Sequence, residues 1–184
     1  LQKNDELHFR EAWPHTNPGS YQVLPWRADT DPDEQEEDIL VVPGAEWNRL
    51  TPASQESFTN TSFEITRQSD RMGYRLNNIP LHMLTNEEVV SSAVGFGTIQ
   101  LLPGGKLIIL MADHQTTGGY PRAAHVITAH HSKLAQLHPG NKARFRFTSQ
   151  EIAEELYMKQ QQHLLQLQNA CTFRLEEYLH VAGN

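Results

Sequence analysis

The chain is poor in cysteine and has no long apolar run. Cys171 is the single cysteine among 184 residues, which excludes a disulfide within the chain and a metal site built on cysteines. The longest apolar run lies at residues 107–112 and is far shorter than the roughly 20 residues that a transmembrane helix needs. No secretory signal is visible. We therefore expect a cytoplasmic protein that does not enter a membrane.

Positive charge is also scarce. The 15 lysine and arginine residues are outnumbered by 22 aspartate and glutamate residues, and the net charge is −7. This balance argues against nucleic-acid binding as the main function, because phosphate recognition needs a surplus of positive charge on one face. The chain also lacks a Walker phosphate-binding sequence and a Gly-x-Ser-x-Gly nucleophile elbow. Its ten histidines follow no zinc-binding spacing, and we expect no metal site.

Short apolar and alternating segments predict a mainly β domain. Residues 143–148 alternate between apolar and polar side chains, and Pro103-Gly104-Gly105 is a strong turn between two apolar runs. Several short strands with Pro-Gly turns and few helices indicate a barrel or a sandwich. The predicted strands cover 39–43, 62–68, 74–76, 97–102, 106–111, 123–129 and 143–148, with short helices within 45–60 and 132–137.

The first part of the chain differs from this central part. Prolines interrupt it repeatedly, and seven acidic residues lie between Asp29 and Asp38, a pattern typical of a solvated loop. Because the chain begins with leucine and not methionine, we expect it to be part of a longer protein. The predicted division is an irregular segment at 1–37, a barrel domain at 38–148 and a helical extension at 149–184.

A long helix is predicted after the last strand. Thr148 or Ser149 can cap it, and Glu151 lies in its first turn. We expect about 25 to 30 helical residues, against the roughly 11 of an average helix. Its inner face is predicted from a spacing of three to four residues and comprises Ile152, Leu156, His163, Leu167, Ala170, Arg174 and Tyr178.

The strongest candidate site is the loop at residues 112–122, which reads Ala-Asp-His-Gln-Thr-Thr-Gly-Gly-Tyr-Pro-Arg and follows a predicted buried strand. Its two glycines allow the backbone to approach a ligand closely. Backbone N–H groups and hydroxyls there can hold an anion, with Arg71 and Arg122 as counter-charges. A hairpin turn decorated with polar side chains explains the same residues and stays open as the alternative.

A second candidate lies at residues 67–75, where three arginines and one aspartate surround a glycine. Arginine forks bind carboxylates and phosphates through two parallel hydrogen bonds. Arg67, Arg71 and Arg75 are therefore candidates for binding an anionic ligand. The alternative is an ion pair of Asp70 with Arg71 or Arg75 that holds this corner of the fold together.

Four segments of the chain occur in the same order in a known family. They are Ser-Asp-Arg-Met-Gly-Tyr-Arg-Leu at 69–76, Gly-Thr-Ile-Gln at 97–100, Ala-Asp-His-Gln-Thr-Thr-Gly-Gly-Tyr-Pro at 112–121 and Leu-Ala-Gln-Leu-His-Pro-Gly at 134–140. On these motifs the chain resembles the C-terminal part of the KipI-antagonist (KipA) family, also called allophanate hydrolase subunit 2, biotin-dependent carboxyltransferase-like proteins or the C subunit of 5-oxoprolinase. Family members usually carry arginine at the position of His114, so a permanent charge is replaced by one that titrates near neutral pH.

The resemblance implies a cyclophilin-like β-barrel and a KipI-like partner, also called allophanate hydrolase subunit 1. In bacteria such pairs act with a LamB/YcsF-like third subunit as an ATP-dependent 5-oxoprolinase, which opens 5-oxo-L-proline to L-glutamate. ATP is then bound by the complex. A related module, the carboxyltransferase domain of urea carboxylase, moves a carboxyl group from carboxybiotin to urea. Other members are described as antagonists of a sensor-kinase inhibitor.

Our first hypothesis is a KipA-like enzyme subunit of a 5-oxoprolinase that binds a small amide. The alternatives are a carboxyltransferase domain that receives biotin from another chain, and a regulatory binding protein without turnover. In the first hypothesis Gln115 and Thr116 orient the amide, while arginine stabilises developing oxyanion or phosphate charge. The expected catalytic residues are Gln115, Arg71 and Asp113, and the expected substrate-binding residues are Arg67, Arg75, His114, Thr116, Thr117, Gly118, Gly119 and Tyr120.

Overall fold

A computed structural model of the chain describes residues 38–85 and 88–182, with side chains described as far as Glu176. The irregular segment predicted for residues 1–37 lies outside the described residues. The rest of the prediction, a barrel followed by a helix, falls almost entirely within them.

A closed barrel of seven strands forms the centre of the described part, in the order β1-β8-β5-β6-β3-β2-β9. Strand β9 closes it by pairing in parallel with β1, with Ile39 opposite Phe145, whereas the other neighbours pair antiparallel. The remaining two strands, β4 and β7, form a small separate sheet. The strands are β1 (Ile39–Pro43), β2 (Ser62–Ile65), β3 (Gly73–Asn77), β4 (Ser92–Ala93), β5 (Thr98–Leu101), β6 (Leu107–Leu110), β7 (Thr117–Gly118), β8 (Arg122–Val126) and β9 (Lys142–Phe147).

The helix predicted within residues 45–60 is divided at Thr51. A 3₁₀ turn covers Trp47–Arg49, and α1 covers Pro52–Asn60. The Thr51 hydroxyl caps α1 by accepting a hydrogen bond from the backbone N–H of Ser54 at 3.3 Å, and proline suits the first helical position. Helix α2 (His131–Ala135) follows a second 3₁₀ turn at Thr128–His130, and α3 covers Gln150–Ala182.

Aromatic rings fill the barrel end that α1 covers. Phe58 of α1 packs on Phe145 with ring centroids 5.2 Å apart, and on Phe63 at 5.8 Å. Trp47 meets Phe58 edge-on at 5.3 Å. These rings come from a helix, two strands and a 3₁₀ turn, so they join elements that are distant in sequence. Fold class is confirmed as mainly β, with short helices and a long C-terminal helix.

Helix α3 is 33 residues long and has no fully buried side chain among residues 150–176. Its first turns lie beside the second 3₁₀ turn, where the Gln160 side chain donates to the Ala129 carbonyl at 3.2 Å. The predicted inner face is partly wrong, because Ile152 is 49 % exposed and His163 and Arg174 are also exposed. No helix in the described part has both the length and the apolar character that crossing a membrane requires. The half-buried side comprises Ala153, Leu156, Gln160, Gln161, Leu167, Ala170 and Cys171.

Three histidines near the β8–α2 connection are partly buried. Burial lowers the pKa of His125, His130 and His131 below the ordinary value. The Nδ1 atom of His130 accepts a hydrogen bond from the backbone N–H of Leu40 at 3.0 Å, so the neutral ring is the form that fits. Lys133 further disfavours the charged ring at this position.

We expect the free energy of unfolding to decrease as the pH is lowered from 7.5 to 5.5. The unfolded chain takes up protons near the ordinary histidine pKa of about 6.5, whereas the folded rings take them up only at lower pH. Each such histidine adds at most about 1.4 kcal/mol per pH unit, and less here because the rings are half-exposed. Urea titrations at both pH values measure the effect. The variant His130→Gln should reduce it, whereas the exposed-site control His138→Gln should not; equal pH dependence in all three proteins contradicts this expectation.

Candidate functional site

A cleft of about 360 Å³ lies on the outer side of the barrel, where β3, β5 and β6 are neighbours. Ile108 of β6 lies opposite Arg75 of β3 and opposite Gln100 of β5. These three residues therefore form one row across the sheet, because paired residues project to the same face. The adjacent row, with Ile99 and Ile109, belongs to the core. The polar residues that line the cleft are Asp70, Arg75, Gln100, Gln115 and Tyr120.

The turn before β3 is held by Asp70, and not by the ion pair considered from sequence. One carboxylate oxygen of Asp70 accepts hydrogen bonds from the backbone N–H groups of Met72 at 2.8 Å and Gly73 at 3.1 Å. Arg71 instead binds Asp113, with Nε 3.0 Å from one carboxylate oxygen and Nη2 3.2 Å from the other. This turn presents Arg75 to the cleft, where its guanidinium forms no ion pair with a described residue.

The Arg71–Asp113 pair connects the two candidate motifs at the surface. Both side chains are exposed, and neither lines the cleft. The structure therefore places two of the three predicted catalytic residues beside the cleft, and only Gln115 in its lining. Arg67 is exposed in the turn after β2. The catalytic and binding roles of all these residues remain predictions.

The glycine-rich loop does not form a hairpin on itself. Thr117 and Gly118 pair with Ala93 and Ser92 of a distant segment, and the Thr116 carbonyl accepts from the N–H of Val94 at 3.1 Å. Part of the loop's backbone thus forms hydrogen bonds in the small sheet. These bonds hold the loop over the cleft. Thr116, Thr117 and Gly119 are exposed, and Gly118 is half-buried.

Two further loop residues have different surroundings. Tyr120 lines the cleft. His114 is half-buried, and its ring Nδ1 lies 2.5 Å from the carbonyl oxygen of the neighbouring Gln115. The His114 ring is therefore bound to the loop backbone, and it does not line the cleft.

Sequence reasoning did not select Gln100 as a site residue. Its side chain is 1 % exposed, and its Nε2 atom has no hydrogen-bond partner among the described residues. A Cβ atom at Gly118 would lie 2.7 Å from this Nε2, so the amide packs directly under the glycine-rich loop. An amide within the otherwise apolar strand segment around Ile99 and Leu101 was the available signal.

Arg122 does not serve as a free counter-charge for an anion. Its guanidinium binds both carboxylate oxygens of Glu46, with Nε–Oε2 at 3.0 Å and Nη2–Oε1 at 2.9 Å, and its backbone N–H donates to Oε2 at 2.9 Å. The side-chain bond to Arg122 lowers the pKa of Glu46 despite burial, and the same bond raises the pKa of Arg122. The pair fixes β8 to the turn after β1. Over residues 38–85 and 88–176, whose side chains the structure describes, no three histidine, cysteine or acidic side chains cluster as a metal site would require.

The described part of the chain is a closed, mainly β barrel domain with a polar cleft on one outer face. Residues 1–147 match the family described as carboxyltransferase domain, subdomain A and B. The chain belongs to this family, which confirms the resemblance found in its motifs.

Two curated relatives are each named as the C subunit of 5-oxoprolinase. The protein of Haemophilus influenzae is 38 % identical over 129 residues, and that of Escherichia coli is 39 % identical over 129 residues. In each case the match covers 70 % of this chain and 42 % of the relative. The matched part of the chain therefore spans 42 % of the length of each relative.

A solved structure with the same fold is that of the urea amidolyase of Kluyveromyces lactis. Its TM-score is 0.67 at 21 % identity, and the match covers 71 % of this chain and 8 % of the other. At this identity the likeness supports the fold alone.

Proposed function

We propose that this chain is part of the C subunit of a 5-oxoprolinase and contributes to the ATP-dependent opening of 5-oxo-L-proline to L-glutamate. The observation that carries the proposal is the 38 % and 39 % identity to two proteins of that name. Because such names imply an assembly, we propose that it acts with a KipI-like subunit and a LamB/YcsF-like subunit. The remaining length of the protein would complete the site.

The cleft suits a small anionic amide. A volume of about 360 Å³ is near the lower end of the range of roughly 300 to 1,000 Å³ found for ligand pockets. The Arg75 guanidinium offers a charged, two-point contact for a carboxylate. Gln115 offers both a donor and an acceptor to the amide group. The nucleotide would bind elsewhere in the complex.

The experiment that tests the proposal is an ATPase assay on the full-length protein with both partner subunits. We expect 5-oxoproline to stimulate ATP hydrolysis and L-glutamate to accumulate in equal amount. Absence of stimulation by 5-oxoproline would contradict the proposed activity.

A second candidate function is carboxyl transfer, which the description of the matching family favours. In that function biotin would arrive on another chain or domain. Replacing 5-oxoproline by urea in the same assay, with a biotin carboxylase present, distinguishes the two: urea-dependent turnover alone supports carboxyl transfer. A protein that binds its partner and stimulates neither reaction would instead be a non-catalytic regulator.

We predict that Gln115→Ala lowers 5-oxoproline-stimulated turnover by about 10- to 100-fold, since it removes a polar group that orients the amide. Initial rates at saturating ATP measure the effect. Gln136→Ala, which removes an exposed amide at the end of α2, is the matched control and should keep the full rate. Unchanged turnover in Gln115→Ala would show that the amide binds elsewhere.

The two arginines next to the cleft should differ in their effects. Arg75 lines the cleft, whereas Arg71 is occupied by Asp113 at the surface. We therefore expect Arg75→Ala to raise the KM for 5-oxoproline about 10-fold or more and Arg71→Ala to change it less. Steady-state kinetics on both variants check this order. A larger effect at Arg71 would favour the alternative in which that residue contacts the substrate directly.

A further inference from the structure

The Gln100 side chain is a buried primary amide whose donor group has no hydrogen-bond partner among the described residues. It is 1 % exposed, and no described residue accepts a hydrogen bond from its Nε2 atom. Leaving a buried polar group unpaired destabilises a fold. The described residues therefore give the Nε2 donor no structural role.

The surroundings of Gln100 show where the amide can be used. Gln100 lines the cleft together with Arg75 and Gln115, and it shares its sheet row with Arg75 through Ile108. The loop crosses above it at Gly118, where a Cβ atom would come within 2.7 Å of Nε2. The side chain thus lies between the barrel wall and the loop, in contact with the cleft.

We propose that Gln100 is the specificity-determining residue that recognises the cis amide edge of the substrate. This inference rests on the proposed function and names the substrate group that the cleft recognises, which is the amide edge. A lactam such as 5-oxoproline holds its N–H and C=O on the same edge, and a primary amide carries one acceptor and two donors. The two edges complement each other through a pair of hydrogen bonds. Urea presents the same edge, so both compounds belong to the ligand class.

Discrimination against analogues follows from this pairing. A site built to hydrogen-bond a substrate N–H rejects the analogue that lacks it, because the buried partner is then left unpaired. The lactone analogue of 5-oxoproline, 5-oxotetrahydrofuran-2-carboxylate, replaces the N–H by an ether oxygen and keeps the ring, the carbonyl and the carboxylate. It tests the half of the pairing in which the Gln100 Oε1 atom accepts from the substrate N–H, while the carbonyl that would accept from Nε2 is kept.

The test measures binding of 5-oxoproline, its lactone analogue and urea to the assembled complex of full-length proteins by calorimetry. We expect the wild-type complex to bind 5-oxoproline at least about 30-fold more tightly than the lactone. Gln100→Met keeps the side-chain length and removes the hydrogen bonds, and it should reduce this preference to within about 3-fold. If Gln100 had only a structural role, Gln100→Met would weaken the binding of 5-oxoproline and of the lactone equally.

A stability measurement on the same variant separates recognition from folding. Because the Nε2 atom has no hydrogen-bond partner among the described residues, Gln100→Met should leave the melting temperature unchanged or raise it. Loss of lactam preference together with a retained melting temperature supports the inference. A lowered melting temperature with the ligand preference intact overturns it.

A second variant reaches the amide without changing Gln100. Gly118→Ala places a methyl group 2.7 Å from the Gln100 Nε2 atom, which is too close for both to stay in place, so it should displace the amide and also reduce the preference for the lactam. Gly104→Ala is the matched control, since a Cβ atom there meets nothing within 4 Å. Equal preferences in the wild type, Gln100→Met and Gly118→Ala would overturn the inference and leave the proposed function standing. Binding of urea but not of 5-oxoproline would overturn the proposed function and support recognition of the amide edge, and binding of neither would overturn both.

Discussion

Phe58→Ala is expected to destabilise the barrel by about 3 to 5 kcal/mol, the usual range for removing a fully buried phenylalanine. Phe58 is 0 % exposed, and its ring packs between Trp47, which lies before α1, and Phe145 of the closing strand β9. The deletion would leave a cavity bordered by several rigid rings, which collapse poorly. Guanidinium unfolding followed by tryptophan fluorescence measures the change.

Phe173→Ala provides the matched control for this prediction. Phe173 is on α3 and 66 % exposed, so the same chemical change should alter the stability by less than about 0.5 kcal/mol. If Phe58→Ala reduced the stability as little as Phe173→Ala does, α1 would not close the barrel end as described.

Glu46→Ala is expected to destabilise the fold about as much as Phe58→Ala, but through the loss of an ion pair. It leaves the Arg122 guanidinium, which is only 20 % exposed, without its bidentate partner, and removing one member of a buried pair destabilises by about 3 to 5 kcal/mol. The backbone N–H of Arg122 loses an acceptor in the same step. We take the lower end of this range, because both side chains retain some access to water.

Two comparisons make this prediction specific to burial and pairing. Asp113→Ala removes the exposed partner of Arg71 and should reduce the stability by no more than about 1 kcal/mol. The double variant Glu46→Met with Arg122→Met should be less destabilised than Glu46→Ala, because no unpaired charge remains. Urea titrations on the four proteins test the order, and equal losses at Glu46 and Asp113 would contradict it.

The contribution of the Glu46–Arg122 pair to the stability should be lost at a lower pH than the contribution of the histidines. The pKa of Glu46 is lowered in the folded protein by its bond to Arg122. A carboxylate of this kind stabilises the fold above its unfolded pKa and loses that contribution as the pH falls through the folded value. The loss therefore occurs below about pH 4.5, whereas the histidine contribution is lost between pH 7.5 and 5.5.

Much of the barrel was predictable because its strands have a clear period. Strand β9 alternates buried Ala143 and Phe145 with exposed Arg144 and Arg146, and this pattern was readable in the sequence. The short strands β4 and β7 were not predicted, since two residues are too few to show a period. They form only because segments far apart in sequence meet over the cleft.

The candidate site was predictable in its motifs but not in its contacts. Both the arginine segment at 67–75 and the loop at 112–122 contribute to the cleft. Sequence reasoning treated Arg71 and Arg75 alike, yet the turn held by Asp70 directs one to Asp113 and the other to the cleft. Residues four apart in a turn and strand differ in direction, and that direction depends on hydrogen bonds which only the folded chain forms.

The amino-acid sequence by itself determined the fold class, the family and the two segments that carry polar chemistry, because periodicity and local motifs are properties of neighbouring residues. Only the tertiary structure decided that Gln100 lies buried under Gly118, that Arg122 is neutralised by Glu46, and that Arg75 faces the cleft. Each of these facts is a contact between strands or loops that are distant along the chain. The closure of the barrel and the register of its strands bring those residues together, and neither is encoded in a local pattern.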